Sequence, residues 1–149
     1  MFLRALFAFL VLPGMAAFVL PIAFLATASR TRVEHPTGFV VLVGGVVGLL
    51  LCVRDFYVLG KGTLAPWAPP ERLVVVGLYR FSRNPMYVSV VTIVAGWAWS
   101  FASPSLLAYA ALLLVGFHLR VVMAEEPYLL RTHGEPWVIY RESVPRWLW

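Results

Sequence analysis

The chain has 149 residues, of which 61% are hydrophobic, 15% are aromatic and only 13% are charged. Because an ordinary globular chain is about one quarter charged, this composition excludes a water-soluble domain and predicts a protein that uses lipid as its solvent. The net charge of +5 is spread over loops and the tail, which excludes a nucleic-acid-binding patch. A single cysteine, Cys52, excludes an intrachain disulfide and a thiolate zinc cluster.

The first apolar stretch, residues 5–28, contains no charge and is predicted to span the membrane. Its prolines, Pro13 and Pro21, are tolerated inside a membrane because neighbouring helices compensate for lost hydrogen bonds. A secretory signal is the alternative, since Arg4 precedes the stretch and small residues occupy positions 26–28. The stretch is longer than an ordinary signal core of about 7–15 residues, which favours the span.

Two further apolar regions predict the remaining helices. The first of them is a span at residues 38–59, and the second is a charge-free region at residues 84–119. The longer region exceeds one crossing of about 30 Å of hydrocarbon. We expect it to turn back at residues 103–105, Ser-Pro-Ser, as a helical hairpin with arms at residues 86–102 and 106–123. Both arms are short, so a tilted pair in a thinned bilayer and a shallow hairpin are both open.

Basic residues predict the orientation in the membrane. With four spans, the amino terminus, the loop 60–85 and the tail 124–149 lie on one side, which holds most of the arginines, whereas the other side has Arg30 and Arg32. The positive-inside bias places the arginine-rich side in the cytoplasm. Because the chain has one lysine and is rich in Ala, Val and Gly, we expect the inner membrane of a bacterium with a GC-rich genome.

The tail is predicted to form short interfacial helices that are interrupted near Pro127 and Gly134. Its tryptophans and tyrosines favour the headgroup layer. Residues 1–149 are therefore predicted to form one domain: an all-α, polytopic membrane protein with about four transmembrane helices, a C-terminal helical hairpin and short interfacial helices.

Polar side chains gather in three segments at the predicted cytoplasmic ends of the spans: residues 60–63, residues 77–87, and the pair Glu125-Glu126. Ionisable groups at membrane depth are costly and by default indicate function. An arginine cluster facing an acidic pair would suit a zwitterionic ligand. A further charge, Arg120, would lie a little below the glutamates.

Each of these segments also has a structural interpretation. The two glutamates could simply end a helix in water beside Arg131, and Asn84 could cap the helix that Pro85 begins. The Gly-Lys-Gly-Thr sequence at residues 60–63 falls short of a phosphate-binding loop. No pair of histidines has metal-ligand spacing, so no metal site is predicted.

Taken together, the motifs resemble the isoprenylcysteine carboxyl methyltransferase and phospholipid methyltransferase family. The resemblance covers roughly residues 60–147 and rests on blocks that occur in family order. These blocks are Gly-Leu-Tyr-Arg at 77–80, Arg-Asn-Pro-Met-Tyr at 83–87, Glu125-Glu126, then Leu129, Gly134, Tyr140 and Val-Pro-Arg-Trp at 144–147.

The resemblance implies a small integral-membrane enzyme that uses S-adenosylmethionine without a Rossmann domain. By carry-over, Arg83, Glu125 and Glu126 are the expected catalytic residues. The expected cofactor-binding residues are Tyr79, Arg83, Asn84, Pro85, Tyr87, Glu125 and Glu126, with Gly60, Gly62 and Gly77 as a candidate cofactor loop. Many family members have His-Pro at the position of Asn84-Pro85, so a role that needs an imidazole does not transfer to this chain.

The acceptor of the methyl group stays open. A prenylated or other thioether-bearing carboxylate, a phospholipid amine, a quinone-like lipid and a small thiol all fit, with membrane lipids as partners. Two other interpretations also stay open. One is an NADPH-dependent, sterol-reductase-like membrane enzyme, whose family has a similar Arg-His-Pro-x-Tyr segment. The other is a non-catalytic membrane scaffold or binding protein.

Overall fold

The computed structural model describes residues 10–28, 32–58 and 73–148, with side chains of the first range described from Pro13 onward. Within these ranges every regular element is helical and none is a strand. The elements are a π-helical segment Leu10–Val19, α1 Leu20–Thr27, α2 Gly38–Val58, a 3-10 turn Gly77–Arg80, α3 Pro85–Ser100, α4 Pro104–Arg120, a second π-helical segment Val121–Glu125, α5 Glu126–His133 and α6 Glu135–Ser143.

The first predicted span is helical throughout its described part, from Leu10 to Thr27. Pro13 lies within the π-helical segment and Pro21 lies in the first turn of α1. Proline has no N–H to donate, and the wider π-helical turn accommodates the missing hydrogen bond without ending the helix. The predicted beginning of this span, residues 5–9, lies outside the described residues.

Helices α2 and α3 form the most extensive helix pair and hold the main core. Glycines let the two backbones approach closely: a Cβ at Gly96 would lie 2.6 Å from the Leu42 nitrogen, and one at Gly45 would lie 2.9 Å from the Ile93 nitrogen. Small residues at such positions are typical of helix pairs in membranes, where close packing drives association. The buried cluster at this contact consists of Ala17, Leu42, Leu49, Val90 and Ile93.

Within the described ranges, helices occupy all four predicted span positions, and two of these helices are long and apolar enough to cross a membrane. These are Gly38–Val58 and the continuous helix Pro104–His133, whereas Pro13–Thr27 and Pro85–Ser100 are shorter apolar helices. Sixteen residues in α3 rise only about 24 Å, less than the roughly 30 Å of hydrocarbon. By length, the described part of the chain therefore has two candidate membrane-spanning helices and not clearly four.

The predicted hairpin is present. The chain turns at Ala102, and the Ser103 hydroxyl accepts a hydrogen bond from the Leu106 N–H, which caps α4. The predicted arm at residues 106–123 lies within a longer helix, Pro104–His133, which continues beyond it. A π-helical segment precedes Pro127, and this proline lies in the first turn of α5, where a missing N–H costs little.

The tail forms the predicted short helices, which are separated at Gly134, where φ is +59°. Helix α6 then packs against the protein rather than only against lipid. Trp137, Tyr140 and Val144 form a buried cluster with Leu73 and Leu129. This docking brings the last residues of the chain back to the beginning of α3.

The tail is fixed to the loop by one buried hydrogen bond, in which the Tyr140 hydroxyl donates to the Tyr79 carbonyl oxygen at 2.6 Å. We expect Tyr140→Phe to leave this buried carbonyl without its donor and to lower the free energy of unfolding by about 1 kcal/mol. Thermal unfolding in detergent measures the change. Tyr128→Phe, on an exposed side chain of α5, is the matched control, and an equal loss in both variants would contradict the role of Tyr140.

Large apolar side chains are exposed along the helices, as expected of surfaces that face lipid rather than water. On α2 and α4 they recur over the whole helix length, and Val40 is 74% exposed. The set on these two helices is Val40, Val43, Val47, Leu50, Tyr57, Val58, Leu107, Leu112, Leu114, Val115 and Leu119.

Candidate functional site

The backbone of the predicted Arg-Asn-Pro segment is held by the end of the tail. The Arg83 N–H donates to the Pro145 carbonyl oxygen at 2.9 Å. The Asn84 side-chain amide donates to the Arg146 carbonyl oxygen at 3.0 Å, and the Ser82 hydroxyl donates to the same oxygen at 3.3 Å. Segments some sixty residues apart in sequence are thus joined at the beginning of α3.

The expected helix cap at Asn84 is not formed by its side chain. Asn84 precedes α3, but its amide is directed to the tail and makes no capping hydrogen bond. Its own N–H donates to the Ser82 hydroxyl at 3.1 Å. Because the Asn84 amide binds the Arg146 carbonyl oxygen, it does not cap α3. Pro85, the first residue of the helix, has no N–H that would need a capping acceptor.

Glu126 lies between two arginines from separate segments. Its carboxylate accepts from Arg83 Nη1 at 2.8 Å, and from Arg146 Nε and Nη2 at 2.8 and 2.9 Å. The bond to Arg146 is bidentate, the strongest form of a guanidinium–carboxylate contact. The Arg83 and Glu126 side chains are only 8% and 15% exposed, so the pair is largely removed from water.

Glu125 belongs to a second group, one residue earlier on the same helix. It accepts a hydrogen bond from the Tyr87 hydroxyl and pairs with Arg120 Nε at 2.8 Å. Arg120 Nε also lies 3.1 Å from the Tyr87 hydroxyl. The Tyr87 ring stacks on Phe117, with 4.3 Å between centroids, so α3 and α4 are joined at the predicted cytoplasmic end of the hairpin.

The two glutamates therefore serve different partners, because adjacent helical residues point about 100° apart. The alternative that they end a helix beside Arg131 does not hold, since Arg131 Nε donates to the Pro127 carbonyl oxygen. The two glutamates, the arginines and the tyrosine that bind them, and Trp137, which lies beside Arg83, are together called the arginine–glutamate cluster. Its members are Arg83, Tyr87, Arg120, Glu125, Glu126, Trp137 and Arg146.

The arginine–glutamate cluster retains unused binding capacity. Arg83 Nε and Trp137 Nε1 are buried donors without a hydrogen-bond partner in the described structure, and the Arg83 guanidinium lies 5.5 Å from the centroid of the Trp137 ring. Burial lowers the pKa of Arg83, and the neighbouring Glu126 opposes that change. Because buried donors are rarely left unpaired in proteins, these two groups stand out in the described structure.

The cluster is also positive overall. Three guanidiniums, from Arg83, Arg120 and Arg146, face the two carboxylates of Glu125 and Glu126. The hydrogen bond to Glu126 raises the pKa of Arg146 above its ordinary value, so this arginine stays charged. One uncompensated positive charge makes an anionic group the best complement.

Three other predicted cofactor residues lie beside the cluster rather than within it. Tyr79 is buried against Phe56, and burial raises its pKa well above the ordinary value. Gly77 has φ +56° and leaves no room for a Cβ because Asp55 contacts it. Pro85 is buried as the first residue of α3. Gly60 and Gly62 lie outside the described residues, so their predicted role stays a prediction.

Sequence reasoning missed Arg146 and Trp137 as members of the site. Arg146 had a signal, since it stands in the Val-Pro-Arg-Trp block that helped to identify the family resemblance. Trp137 had none, because a tryptophan in an interfacial tail is typical of headgroup contact. The sequence drew attention to Arg120 only through its predicted depth in the membrane. Its contacts with Tyr87 and Glu125 are seen only in the structure.

A largely apolar groove of about 520 Å³ lies between α3 and α4, and its lining includes no member of the cluster, although Val88 and Leu119 adjoin Tyr87 and Arg120 in the sequence. The size is within the range of small-molecule sites. Its lining comes from the two hairpin helices and the last residues of the tail: Val88, Val91, Thr92, Leu114, Val115, His118, Leu119, Trp147 and Leu148. Among the described residues no group of three or more His, Cys, Asp and Glu side chains could hold a metal ion.

Comparison with known proteins gives one match. The sequence model of the phospholipid methyltransferase family matches residues 37–136 of the chain, which includes α2, the hairpin and both glutamates. No curated protein and no solved structure matches the chain.

Proposed function

The chain belongs to the phospholipid methyltransferase family, and from this premise we propose that it is an integral-membrane enzyme that transfers a methyl group from S-adenosylmethionine to a lipidic or small nucleophilic acceptor. The single observation that carries the proposal is the arginine–glutamate cluster. It gathers the predicted residues Arg83, Tyr87, Glu125 and Glu126 at one end of the hairpin and keeps a buried, unpaired donor at Arg83 Nε.

The residues of the cluster fit S-adenosylmethionine, which has a carboxylate, an ammonium, a sulfonium and ribose hydroxyls. Arg83 Nε would bind the carboxylate, because this donor is buried and unpaired and the cluster has an excess of positive charge. Glu125 would accept from the ammonium or a ribose hydroxyl, since its carboxylate is 30% exposed. Glu126, held by two arginines, would orient Arg83 rather than touch the ligand.

When bound, S-adenosylmethionine supplies an electrophilic methyl group on its sulfonium, and the protein needs no metal to activate it. The contribution of this chain is to orient the donor and to exclude water. Tyr87, stacked on Phe117 and held by Glu125, closes the hairpin side of the cluster. The docked tail closes the other side through Pro145 and Arg146.

The neighbouring groove is the proposed path for the acceptor. Its apolar lining between α3 and α4 would admit a lipid sideways from the bilayer. A carboxylate or thiolate acceptor would need no general base, whereas a lipid ammonium would first have to lose a proton. We also propose the orientation predicted from the arginines, with the loop 60–85 and the tail 124–149 in the cytoplasm, where a soluble methyl donor can reach them.

The proposal is tested by calorimetric titration of detergent-purified protein with S-adenosylmethionine, S-adenosylhomocysteine and NADPH. We expect saturable binding of both sulfur compounds and none of NADPH. Binding of NADPH alone would instead support a reductase. If folded protein binds none of the three, a non-catalytic scaffold becomes the better interpretation.

The role of Arg83 is tested by Arg83→Lys, which retains a positive charge for Glu126 but removes the Nε donor and the planar fork. We expect S-adenosylmethionine to bind about ten- to a hundredfold more weakly, the equivalent of losing one charge-assisted hydrogen bond of about 1.5–3 kcal/mol. Arg141→Lys, on an exposed position of α6, is the matched control. Equal affinities in the two variants would remove Arg83 from the binding site.

A further inference from the structure

Trp137 has a hydrogen-bond donor that the interior of the protein does not satisfy. The residue is only 2% exposed, and its Nε1 is buried without a partner in the described structure. An indole N–H can only donate, so burying it without an acceptor costs free energy comparable to a lost hydrogen bond. The position of Trp137 therefore needs an explanation besides packing.

The apolar neighbours of Trp137 hold its ring in place. Helix α6 puts the ring in a buried cluster with Tyr140 and Val144, against which Leu73 and Leu129 pack. The Trp137 and Tyr140 rings meet at an angle of 60°, with 5.8 Å between their centroids. Because closely packed side chains keep one orientation, the indole does not turn to find an acceptor elsewhere. An acceptor has to come to the indole.

A second unpaired donor lies close to Trp137, just before the beginning of α3. Arg83 Nε is also buried without a partner in the described structure, and the Arg83 guanidinium lies 5.5 Å from the centroid of the Trp137 ring. The Glu126 carboxylate accepts from Arg83 Nη1 and from Arg146, and it serves neither of the two unpaired donors. Two segments thus bring two unused donors together.

The chemistry of these two donors specifies an anionic oxygen ligand. Neither a guanidinium nor an indole accepts a hydrogen bond, so an ammonium would leave both unsatisfied. The three guanidiniums of the cluster outnumber its two carboxylates, which favours an anion over a neutral acceptor. Hydrogen bonds to a charged acceptor are also the stronger kind. A carboxylate has two oxygens and can accept from both donors at once.

We propose that Trp137 Nε1 binds the carboxylate of the methyl donor together with Arg83 Nε, so that Trp137 selects ligands with an amino-acid moiety. This inference deepens the proposed function and rests on it. The ammonium and sulfonium of S-adenosylmethionine are positive and its adenosine is neutral, so its carboxylate is the group that matches both donors. Methylthioadenosine, which lacks this carboxylate, would leave two buried donors unpaired. A site built to hydrogen-bond a missing group rejects such an analogue strongly.

The proposal is tested by calorimetric titration of wild-type protein and Trp137→Phe in detergent. The ligands are S-adenosylhomocysteine and methylthioadenosine, which share adenosine and a thioether but differ in the amino-acid moiety. Trp137→Phe retains an aromatic ring beside Arg83 and has no N–H. We expect the variant to bind S-adenosylhomocysteine about tenfold or more weakly and methylthioadenosine with unchanged affinity. Trp99→Phe, on an exposed side chain of α3, is the matched control and should change neither affinity.

Nuclear magnetic resonance separates a direct contact from a packing defect. In protein labelled with nitrogen-15 tryptophan, the Trp137 indole resonance is assigned by its loss in Trp137→Phe. We expect S-adenosylhomocysteine to shift this resonance saturably and to a greater extent than methylthioadenosine. Sodium acetate is the probe for a free carboxylate. A shift by acetate with none by S-adenosylhomocysteine would overturn the proposal, because the bound carboxylate would then not be that of the methyl donor.

The outcomes also distinguish this inference from the proposed function. If S-adenosylhomocysteine binds wild-type protein and Trp137→Phe equally and leaves the indole resonance unmoved, the inference is overturned and the proposed function stands. Equal weakening of both ligands in Trp137→Phe would overturn it too, because the indole would then serve the nucleoside or the shape of the site. If folded wild-type protein binds neither ligand, the proposed function fails and this inference fails with it.

Discussion

Glu126→Gln is expected to lower both the stability of the protein and its affinity for S-adenosylmethionine. The Glu126 carboxylate accepts hydrogen bonds from Arg83 and Arg146, and the Arg83 side chain is only 8% exposed. Removing one partner of such a pair leaves a charge away from water without compensation. We expect a loss of about 3 kcal/mol in the free energy of unfolding and a thermal midpoint lower by roughly 6–12 °C.

Thermal unfolding in detergent measures this loss, and two further variants define its cause. Glu135→Gln, on an exposed side chain of α6, removes an equal charge from the same part of the chain and should shift the midpoint by less than a degree or so. Arg83→Met combined with Glu126→Gln removes the stranded guanidinium and should recover part of the loss. If Glu126→Gln and Glu135→Gln had the same midpoint, the ion pair would have no structural role.

Gly96→Ala is the second large expected effect, because it acts at a point where the backbones of α2 and α3 approach closely. A Cβ at Gly96 would lie 2.6 Å from the Leu42 nitrogen and 2.7 Å from its Cβ, and backbone atoms cannot move aside as a flexible side chain can. We expect the helices to separate, at a cost of about 1–3 kcal/mol in the free energy of unfolding. Since α3 bears Tyr87, cofactor affinity should fall as well.

Gly44→Ala is the matched control for this effect. Gly44 lies in α2, and a Cβ there would meet nothing within 4 Å. Because alanine is the better helix former by up to about 1 kcal/mol, the control should be neutral or slightly stabilised. Thermal unfolding of the two variants side by side measures the difference. An equal loss in both would contradict the role of close packing at Gly96, because a Cβ at Gly44 has no such contact.

Local features of the fold could be predicted from the sequence because local chemistry determines them. Ser-Pro-Ser at residues 103–105 predicts the hairpin turn, and Ser103 does cap α4. Gly134 predicts the break between α5 and α6, where φ is positive. The end of the fourth helix could not be predicted this way, since the acidic pair and Pro127 suggest a stop but a π-helical segment carries the helix past them.

The family resemblance named four of the seven residues of the arginine–glutamate cluster, Arg83, Tyr87, Glu125 and Glu126, but it did not predict which side chains pair with one another. Nothing in the sequence says that adjacent glutamates take separate arginines, because the partners of Glu126 come from two distant segments, at Arg83 and Arg146. The same tertiary contact explains the failed cap at Asn84, whose amide binds the Arg146 carbonyl oxygen instead. Pairings between distant segments depend on the docking of the tail, which local patterns do not encode.

One atom, the buried and unpaired Nε of Arg83, is the best probe of the proposed cofactor site. Its N–H resonance can be observed in protein labelled with nitrogen-15 arginine and assigned by its loss in Arg83→Lys. If the arginine–glutamate cluster binds the cofactor, S-adenosylhomocysteine will shift this resonance saturably and NADPH will leave it unchanged. Saturable binding of S-adenosylhomocysteine with the Arg83 resonance unmoved would mean that the cofactor lies outside the cluster.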